Sequence, residues 1–305
     1  MTPNNYEDSP FHSGEKTLQD VYGVRDSMEE FGRRVIREYL PQQHQEFYRL
    51  LPYILMGSAD NSGWPWAYIL HGSPGFIDSS NPTTMNINVA SVLYDYQKEH
   101  LKPGSKIGLL GIDLNTKRRN RVSAVVRDTK TDELILDVIQ AFGNCPRYIH
   151  QRSLLPPIST THEALIEHIE VFNFNQETSK LIEASDTVFV SSAYENGEDI
   201  SNQGSDISHR GGEPGFMEVI DDNKVKIPEY AGNFHFNTLV NFLKNPKAGL
   251  LFIDFEKGHI LSVTGTVELH LGDPKESLEN SYWIFELHHG HWIKNALPVR
   301  WKLEN

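Results

Sequence analysis

The chain has 305 residues, of which 38% are hydrophobic and 23% charged, so it has the composition of a folded globular protein and the length for two domains. Its 28 Lys and Arg residues against 41 Asp and Glu residues give a net charge of -13, which argues against nucleic acid or an anionic membrane surface as a partner. With no signal peptide, no long apolar run and a single cysteine, Cys145, we expect a soluble, cytoplasmic protein without an internal disulfide.

The N-terminal part of the chain predicts a helical arm over residues 1–50. Residues 1–14 are polar and are expected to be disordered. Residues 17–20 (TLQD) resemble a capping box, and apolar residues then recur at helical spacing from Phe31 to Leu40, before Pro41.

From Tyr53 onward, short runs rich in β-branched and aromatic residues are separated by Gly, Pro, Asn and Asp. These runs predict strands at residues 53–56, 66–70, 84–89, 106–112, 121–126 and 134–142. The polar turn at residues 128–132 predicts a hairpin between the last two. Six short strands indicate a first barrel over residues 51–150.

A helical linker is predicted over residues 151–185, with helices at 163–171 and 178–184 and a break at Pro156-Pro157. A second β-rich region then fills residues 186–305. It predicts strands at 187–193, 207–210, 216–220, 224–227, 249–255, 260–269 and 281–288, and one helix at 236–243.

The chain contains an internal repeat. Residues 72–76 (GSPGF) recur 140 residues later as GEPGF, and residues 108–114 (GLLGIDL) recur 141 residues later as GLLFIDF. Residues 122–126 (VSAVV) align with residues 263–267 (VTGTV) at the same offset of 141, and both segments consist of small and β-branched residues. Three matches in register predict a duplicated domain, because a period of this length is too long for a solenoid.

Residues 208–216, 228–233 and 245–254, in this order, resemble the pyridoxamine 5'-phosphate oxidase-like FMN-binding split-barrel family. Residues 72–76 and 108–121, followed by 142–149, are similar to the diverged first copy in its tandem two-barrel branch. The resemblance covers about residues 50–300 and implies a mainly β fold, with two tandem split β-barrels, peripheral helices and a helical N-terminal arm. It also implies FMN in the interface of a barrel pair formed within the chain.

The first candidate cofactor site combines groups that bind phosphate. Ser208, His209, Arg210 and Gly211 supply a hydroxyl, an imidazole, a guanidinium and an unobstructed amide in adjacent positions. The alternative is a strand end with a solvated arginine.

A second candidate segment contains Tyr230, Asn233 and Asn237 and opens the predicted helix at 236–243, whose N-terminus favours anions. The alternative is a turn with a helix cap. True oxidases of the resembled family have an Arg-Lys pair after this tyrosine, where Asn233 and Phe234 stand here, so pyridoxamine phosphate is not expected as the substrate.

Arg119 and Arg121 belong to the basic cluster at residues 117–121 and share one face of a predicted strand. They either lie at a solvated hairpin tip or hold an anion at the domain interface. The resemblance adds Asn144 and Arg147 as cofactor-pocket residues, with linker packing as the alternative, and Cys145 is expected to be a buried, unreactive thiol.

Residues 288–291 (HHGH) place His289 and His291 on one strand face without an acidic partner fixed by spacing, so we expect a surface strand and no metal site. No dinucleotide-binding glycine motif and no P-loop motif occurs in the sequence.

The leading interpretation is an FMN-binding flavoprotein, an oxidoreductase that transfers electrons or hydride between a reduced cofactor and a small molecule. Its expected partners are that substrate and NAD(P)H or a separate reductase, and a homodimer remains open. The alternatives are a flavin-binding or electron-transfer module without turnover, and the same fold with haem or a deazaflavin. The sequence names no proton donor; His209 and His235 are the nearest by residue type.

Overall fold

A computed structural model describes residues 9–89, 95–98, 100–156, 166–196, 203–232, 234–273, 278 and 280–304. The N-terminal arm consists of helices α1 (Ser13–Val21), α2 (Arg25–Val35) and α3 (Gln42–Leu50). In the part of the chain that is described, no helix has the length and hydropathy to cross a lipid bilayer.

The first β region forms one antiparallel sheet. Its strands are β1 (Tyr53–Ala59), β2 (Pro65–His71), β3 (Ile77–Asp78), β4 (Thr84–Asn88), β5 (Lys106–Asp113), β6 (Arg118–Thr129) and β7 (Glu133–Asn144), with a short helix α4 (Asp95–Lys98) before β5. They lie in the order β2-β1-β5-β6-β7-β4-β3. The predicted hairpin joins β6 to β7, with Thr129 opposite Leu134.

The second region repeats this arrangement. Its elements are β8 (Arg152–Leu154), β9 (Glu167–Val171), α5 (Gln176–Ala184), β10 (Thr187–Tyr194), β11 (Gly204–Gly211), β12 (Glu218–Val219), β13 (Lys224–Pro228), α6 (Asn237–Lys244), β14 (Lys247–Asp254), β15 (His259–His270), β16 (Tyr282–Lys294) and β17 (Trp301–Leu303). The sheet order β11-β10-β14-β15-β16-β13-β12 is position for position that of the first sheet, and β17 pairs with β8. The predicted fold class is therefore confirmed as mainly β, with two split barrels and a helical N-terminal arm.

The linker prediction was partly wrong. Residues 178–184 are helical, as part of α5, but residues 167–171 form strand β9, and residues 163–165 lie outside the described part of the chain. Strand β9 pairs with residues 290–294 of β16, beyond the point where β13 stops pairing with that strand. The open edge of β16 thus provides backbone partners that outweigh a helix-like pattern in an exposed segment.

Two predictions for the N-terminus were also wrong. Residues 1–8 lie outside the described part, but Phe11 and His12, which were expected to be disordered, are buried. Phe11 packs in a cluster with Met28, Ile36 and Phe142, so burial of its ring compensates for ordering this polar segment. The capping box is formed by His12 and Glu15, and the predicted box at residues 17–20 lies inside α1.

The repeated GxPGF segments are equivalent turns. Gly75 and Gly215 adopt φ angles of 96° and 86°, which residues with a Cβ rarely adopt. Each also donates its amide hydrogen to the end of the preceding helix, Gly75 to Arg49 O at 2.8 Å and Gly215 to Glu183 O at 2.8 Å. The motif therefore has a structural role, because it attaches a strand connection to helix α3 or α5.

Each barrel has its own apolar core, and a third apolar cluster joins the two. Leu55, Ile69 and Leu110 from the first barrel share this cluster with Phe189 and Leu251 from the second. The strands approach so closely here that a Cβ on Gly108 would lie 2.7 Å from Cα of Asp206, and one on Gly249 would lie 2.7 Å from Cα of Trp66. The two barrels therefore pack against each other within the chain.

Candidate functional site

Strand β6 of the first barrel faces β11 and the start of α6 in the second, and Arg121 connects all three. Its guanidinium donates to Asp206 Oδ2 at 2.9 Å, to Asn237 Oδ1 at 3.2 Å and to the Ser208 hydroxyl. The Ser208 Oγ lies 2.7 Å from Thr238 Oγ1. Residues predicted at separate places in the sequence are thus brought together across the barrel interface.

A cavity of about 60 Å³, here called the arginine cavity, is lined by Arg121, Ser208, Arg210, Asn237 and Thr238, among others. Helix α6 begins on its wall. The N-cap residue of that helix makes no side-chain capping hydrogen bond, so the first helical amides keep their capacity to bind an anion.

The charges around the arginine cavity are predominantly positive. Arg121 pairs with Asp206 and Arg210 Nη1 lies 2.7 Å from Glu229 Oε1, and the guanidinium of Arg119 adds a third positive charge beside them. Burial raises the pKa of Glu229, which Arg210 partly offsets. Among the described residues, the buried Nε atoms of Arg121 and Arg210 have no hydrogen-bond partner, so each can donate to a ligand.

Arg119 and His209 form a second layer beside this cavity. Arg119 donates from Nε to the carbonyl of Cys145 at 2.7 Å, and its Nη1 lies 3.4 Å from His209 Nδ1. Burial, reinforced by Arg121, lowers the pKa of Arg119 to about 10. Burial, followed by the charge of Arg119, lowers the pKa of His209 well below its ordinary value, so the imidazole is neutral. Since a guanidinium can only donate, Nδ1 accepts and Nε2 carries the proton.

The other predicted residues that the structure describes form one rim of this region. A Cβ on Gly211 would collide with the carbonyl of Tyr148, so the 144–149 segment passes directly over that glycine. Arg147 and Tyr148 both donate to the carbonyl of Ala231, at 3.3 and 3.2 Å, and the rings of Tyr148 and Tyr230 stack. Asn144 lies at the end of β7 opposite Arg119, whereas Asn233 lies outside the described residues.

Two smaller predictions fail. Cys145 is exposed, because its segment is held by hydrogen bonds of the Cys145 carbonyl, Arg147 and Tyr148, which leave the thiol at the surface. His289 and His291 do share a face, with ring centroids 4.8 Å apart, but His291 is buried against Trp66 at the barrel interface and not on a surface strand.

The pseudo-equivalent side of the interface has different chemistry. Arg121 lies opposite Leu110 on β5, and its counterpart opposite Leu251 on β14 is Ser262, which donates to the carbonyl of Ala67 at 2.9 Å. An arginine in one copy and a serine in the other make the β6–β11 side better suited to an anion than its pseudo-equivalent.

Sequence reasoning missed Glu15 of α1, which reaches into the same network from the N-terminal arm. Its carboxyl accepts from Asn237 Nδ2 at 2.5 Å and from the backbone N–H of His12 at 3.0 Å, and the residue is only 3% exposed. Burial raises its pKa to about 8, and the neighbouring Asp206 acts in the same direction. The signal in the sequence was a glutamate three positions after a capping residue, but His12 is an unusual cap.

This raised pKa predicts how arm docking depends on pH. The docked carboxyl is protonated up to about pH 8, whereas a free one ionises near its ordinary pKa of 4.5, so docking weakens as the pH rises between those values. We expect the wild type to lose stability from pH 5 to pH 8 relative to Glu15→Gln, in urea unfolding at each pH. This loss of stability cannot exceed the free energy of arm docking, because water hydrates the carboxylate once the arm has undocked. If the free energies of unfolding of the two proteins change in parallel with pH, Glu15 is not a buried acid.

Comparisons with known proteins find no matching family model and no matching curated protein. Among solved structures, HupZ of Group A Streptococcus aligns at 18% identity over 37% of this chain and 89% of its own, with a TM-score of 0.28. An FAD-binding protein from Mesorhizobium loti aligns at 8% identity over 42% of this chain and 98% of its own (TM-score 0.28). A protein of the pyridoxinephosphate oxidase family from Clostridium acetobutylicum aligns at 20% over 42% of this chain and 92% of its own (TM-score 0.27).

Proposed function

We propose that this protein binds FMN non-covalently between its two barrels and acts as an FMN-dependent oxidoreductase on a small molecule. The observation that carries the proposal is the arginine cavity, where Arg121, Arg210, Ser208 and the N-terminus of α6 converge. A phosphate monoester needs charge-assisted donors and backbone amides in one place, and this cavity offers both.

The fit to FMN rests on donor capacity that the described part of the protein does not use. The Nε atoms of Arg121 and Arg210 and the Nε2 atom of His209 are buried without a partner there. Leaving such donors unpaired costs stability, which a ligand oxygen would recover. A bound flavin would supply the redox chemistry, while the chain binds the phosphate, orients the cofactor and excludes water. NAD(P)H or a separate reductase is the proposed source of electrons.

The first test is the absorbance spectrum of the purified protein, with mass analysis of what denaturation releases. FMN and riboflavin are then titrated separately, since they differ only in the phosphate. We expect tighter binding of FMN, and about tenfold weaker FMN binding by Arg121→Ala or Arg210→Ala, since each removes a charged hydrogen bond. The affinity for riboflavin is expected to change little in these variants, because riboflavin has no phosphate to accept such a hydrogen bond.

The matched control is Arg127→Ala. Arg127 lies on β6 with Arg121, but it is exposed and pairs with Asp137 on the neighbouring strand β7. Its removal is expected to leave the affinity for FMN unchanged. Equal affinities of the folded wild-type protein for FMN and riboflavin would remove the phosphate role, and a colourless protein that takes up neither would overturn the proposal. An assay of flavin reduction by NADH or NADPH then distinguishes an oxidoreductase from a protein that only carries the flavin.

A further inference from the structure

A second cavity lies between the N-terminal arm and both barrels, on the other side of Asn237 from the arginine cavity. It has a volume of about 320 Å³, within the range of small-molecule sites. Its apolar wall includes Phe11, Ile36 and Phe142. Its polar wall includes Glu15 and Ser205. This space is called the arm cavity below.

The polar wall contains two buried groups with donor capacity. Ser205 is 5% exposed, and its hydroxyl has no hydrogen-bond partner among the described residues. The Glu15 carboxyl accepts two hydrogen bonds, one from Asn237 and one from the His12 backbone N–H. Since a neutral carboxyl also has one proton to donate, Glu15 can still donate to an acceptor in the cavity.

Burial raises the pKa of Glu15 and keeps the carboxyl neutral, and the charged groups that face it do not reverse this. Asp206 on β11 disfavours its ionised form, whereas Arg121 on β6 favours it but is already paired with Asp206 at 2.9 Å. His12 on the arm has a pKa lowered to about 4 by burial and is uncharged at neutral pH. Lys106 at the start of β5 also lines the cavity.

We propose that the arm cavity binds a small uncharged molecule with a flat apolar body and a carbonyl-type oxygen, to which Glu15 donates a hydrogen bond. The flat body packs against Phe11 and Phe142, and the oxygen meets the Glu15 carboxyl and the Ser205 hydroxyl. The carboxylate of Asp206 repels an anion here while Lys106 attracts one, a balance that the benzoate probe below tests, and a cation would have to displace the proton of Glu15. The site does not require FMN.

Three probes of similar shape test this assignment: acetophenone, which is neutral and only accepts hydrogen bonds, benzamidinium and benzoate. Saturation-transfer NMR at pH 6.5 is expected to show binding of acetophenone in preference to the two ions. Binding is expected to weaken by at least about threefold to tenfold as the pH rises past 8, because ionised Glu15 has no proton to donate and the arm that carries it docks less tightly.

Variants of Glu15 separate its role from a general effect on the arm. Glu15→Gln keeps a donor without a titration, so it is expected to bind acetophenone with no pH dependence, whereas Glu15→Leu is expected to lose the same threefold to tenfold. Glu30→Gln, an exposed change on α2, is the control and is expected to behave as the wild type.

Each contrary outcome overturns the proposal. Preferred binding of benzamidinium with proton release would make the cavity a cation site with ionised Glu15. Acetophenone binding that is the same in Glu15→Leu, or absent in a folded wild-type protein, would exclude Glu15 as the donor. None of these results depends on FMN, so failure here is distinct from failure of the flavin proposal.

Discussion

Replacing Gly108 with valine is expected to destabilise the protein by about 3 kcal/mol or more, because the new side chain overlaps backbone atoms that cannot move away. A Cβ at this position would lie 2.7 Å from Cα and 2.9 Å from the carbonyl carbon of Asp206 on the facing barrel. The equivalent Gly249 would meet Pro65 and Trp66 in the same way. Because Asp206 anchors Arg121, the variant is also expected to bind FMN more weakly.

Urea unfolding measures the first effect, and Gly143→Val is the matched control. Gly143 also lies in a strand of the first barrel, but it is exposed and its nearest neighbour would be Asn120 Oδ1 at 3.4 Å. Valine is favoured in strands, so this control is expected to be neutral or stabilising. Equal stability of Gly108→Val and the wild type would show that the barrels do not pack as closely as described.

Loss of Arg152 is expected to cost about 3 to 5 kcal/mol, since it leaves a buried carboxylate without its cation. Arg152 is the first residue of β8, in the segment between the barrels, and its Nη2 donates to both carboxylate oxygens of Asp186 at 2.7 Å. Both residues are at most 7% exposed, and Arg152 also lies over the ring of Phe255. The pair therefore attaches the connecting segment to the second barrel.

The contribution of this pair to stability is measured by unfolding Arg152→Met, Asp186→Asn and the double variant. The double variant is expected to be more stable than Arg152→Met, because the buried charge is then removed along with its partner. Additive losses in the double variant would indicate that the two residues act independently and would contradict the buried pair. A surface pair such as Lys224 and Glu286 is the comparison, with an expected effect of about 1 kcal/mol or less.

The strands and the candidate residues differ in how far they could be predicted. The strands at 187–193 and 106–112 were predicted within a residue of their observed bounds, since they depend on nearby turn residues and short-range patterns. The direction of Arg119 and Arg121 toward one face also followed from strand alternation. Strand alternation could not predict which face of the strand contacts the other barrel, because Arg121 and Asp206 are 85 residues apart in the chain.

The sequence by itself determined that this chain is mainly β, with two similar halves and a basic segment at residues 117–121, because periodicity, turns and repeats are local properties. Only the tertiary structure decided that Arg121 and Arg210 share a cavity with Ser208, and that Glu15 is buried beside them. Burial and pairing across an interface depend on contacts between residues distant in sequence, and these contacts set the charge and proton affinity of each group.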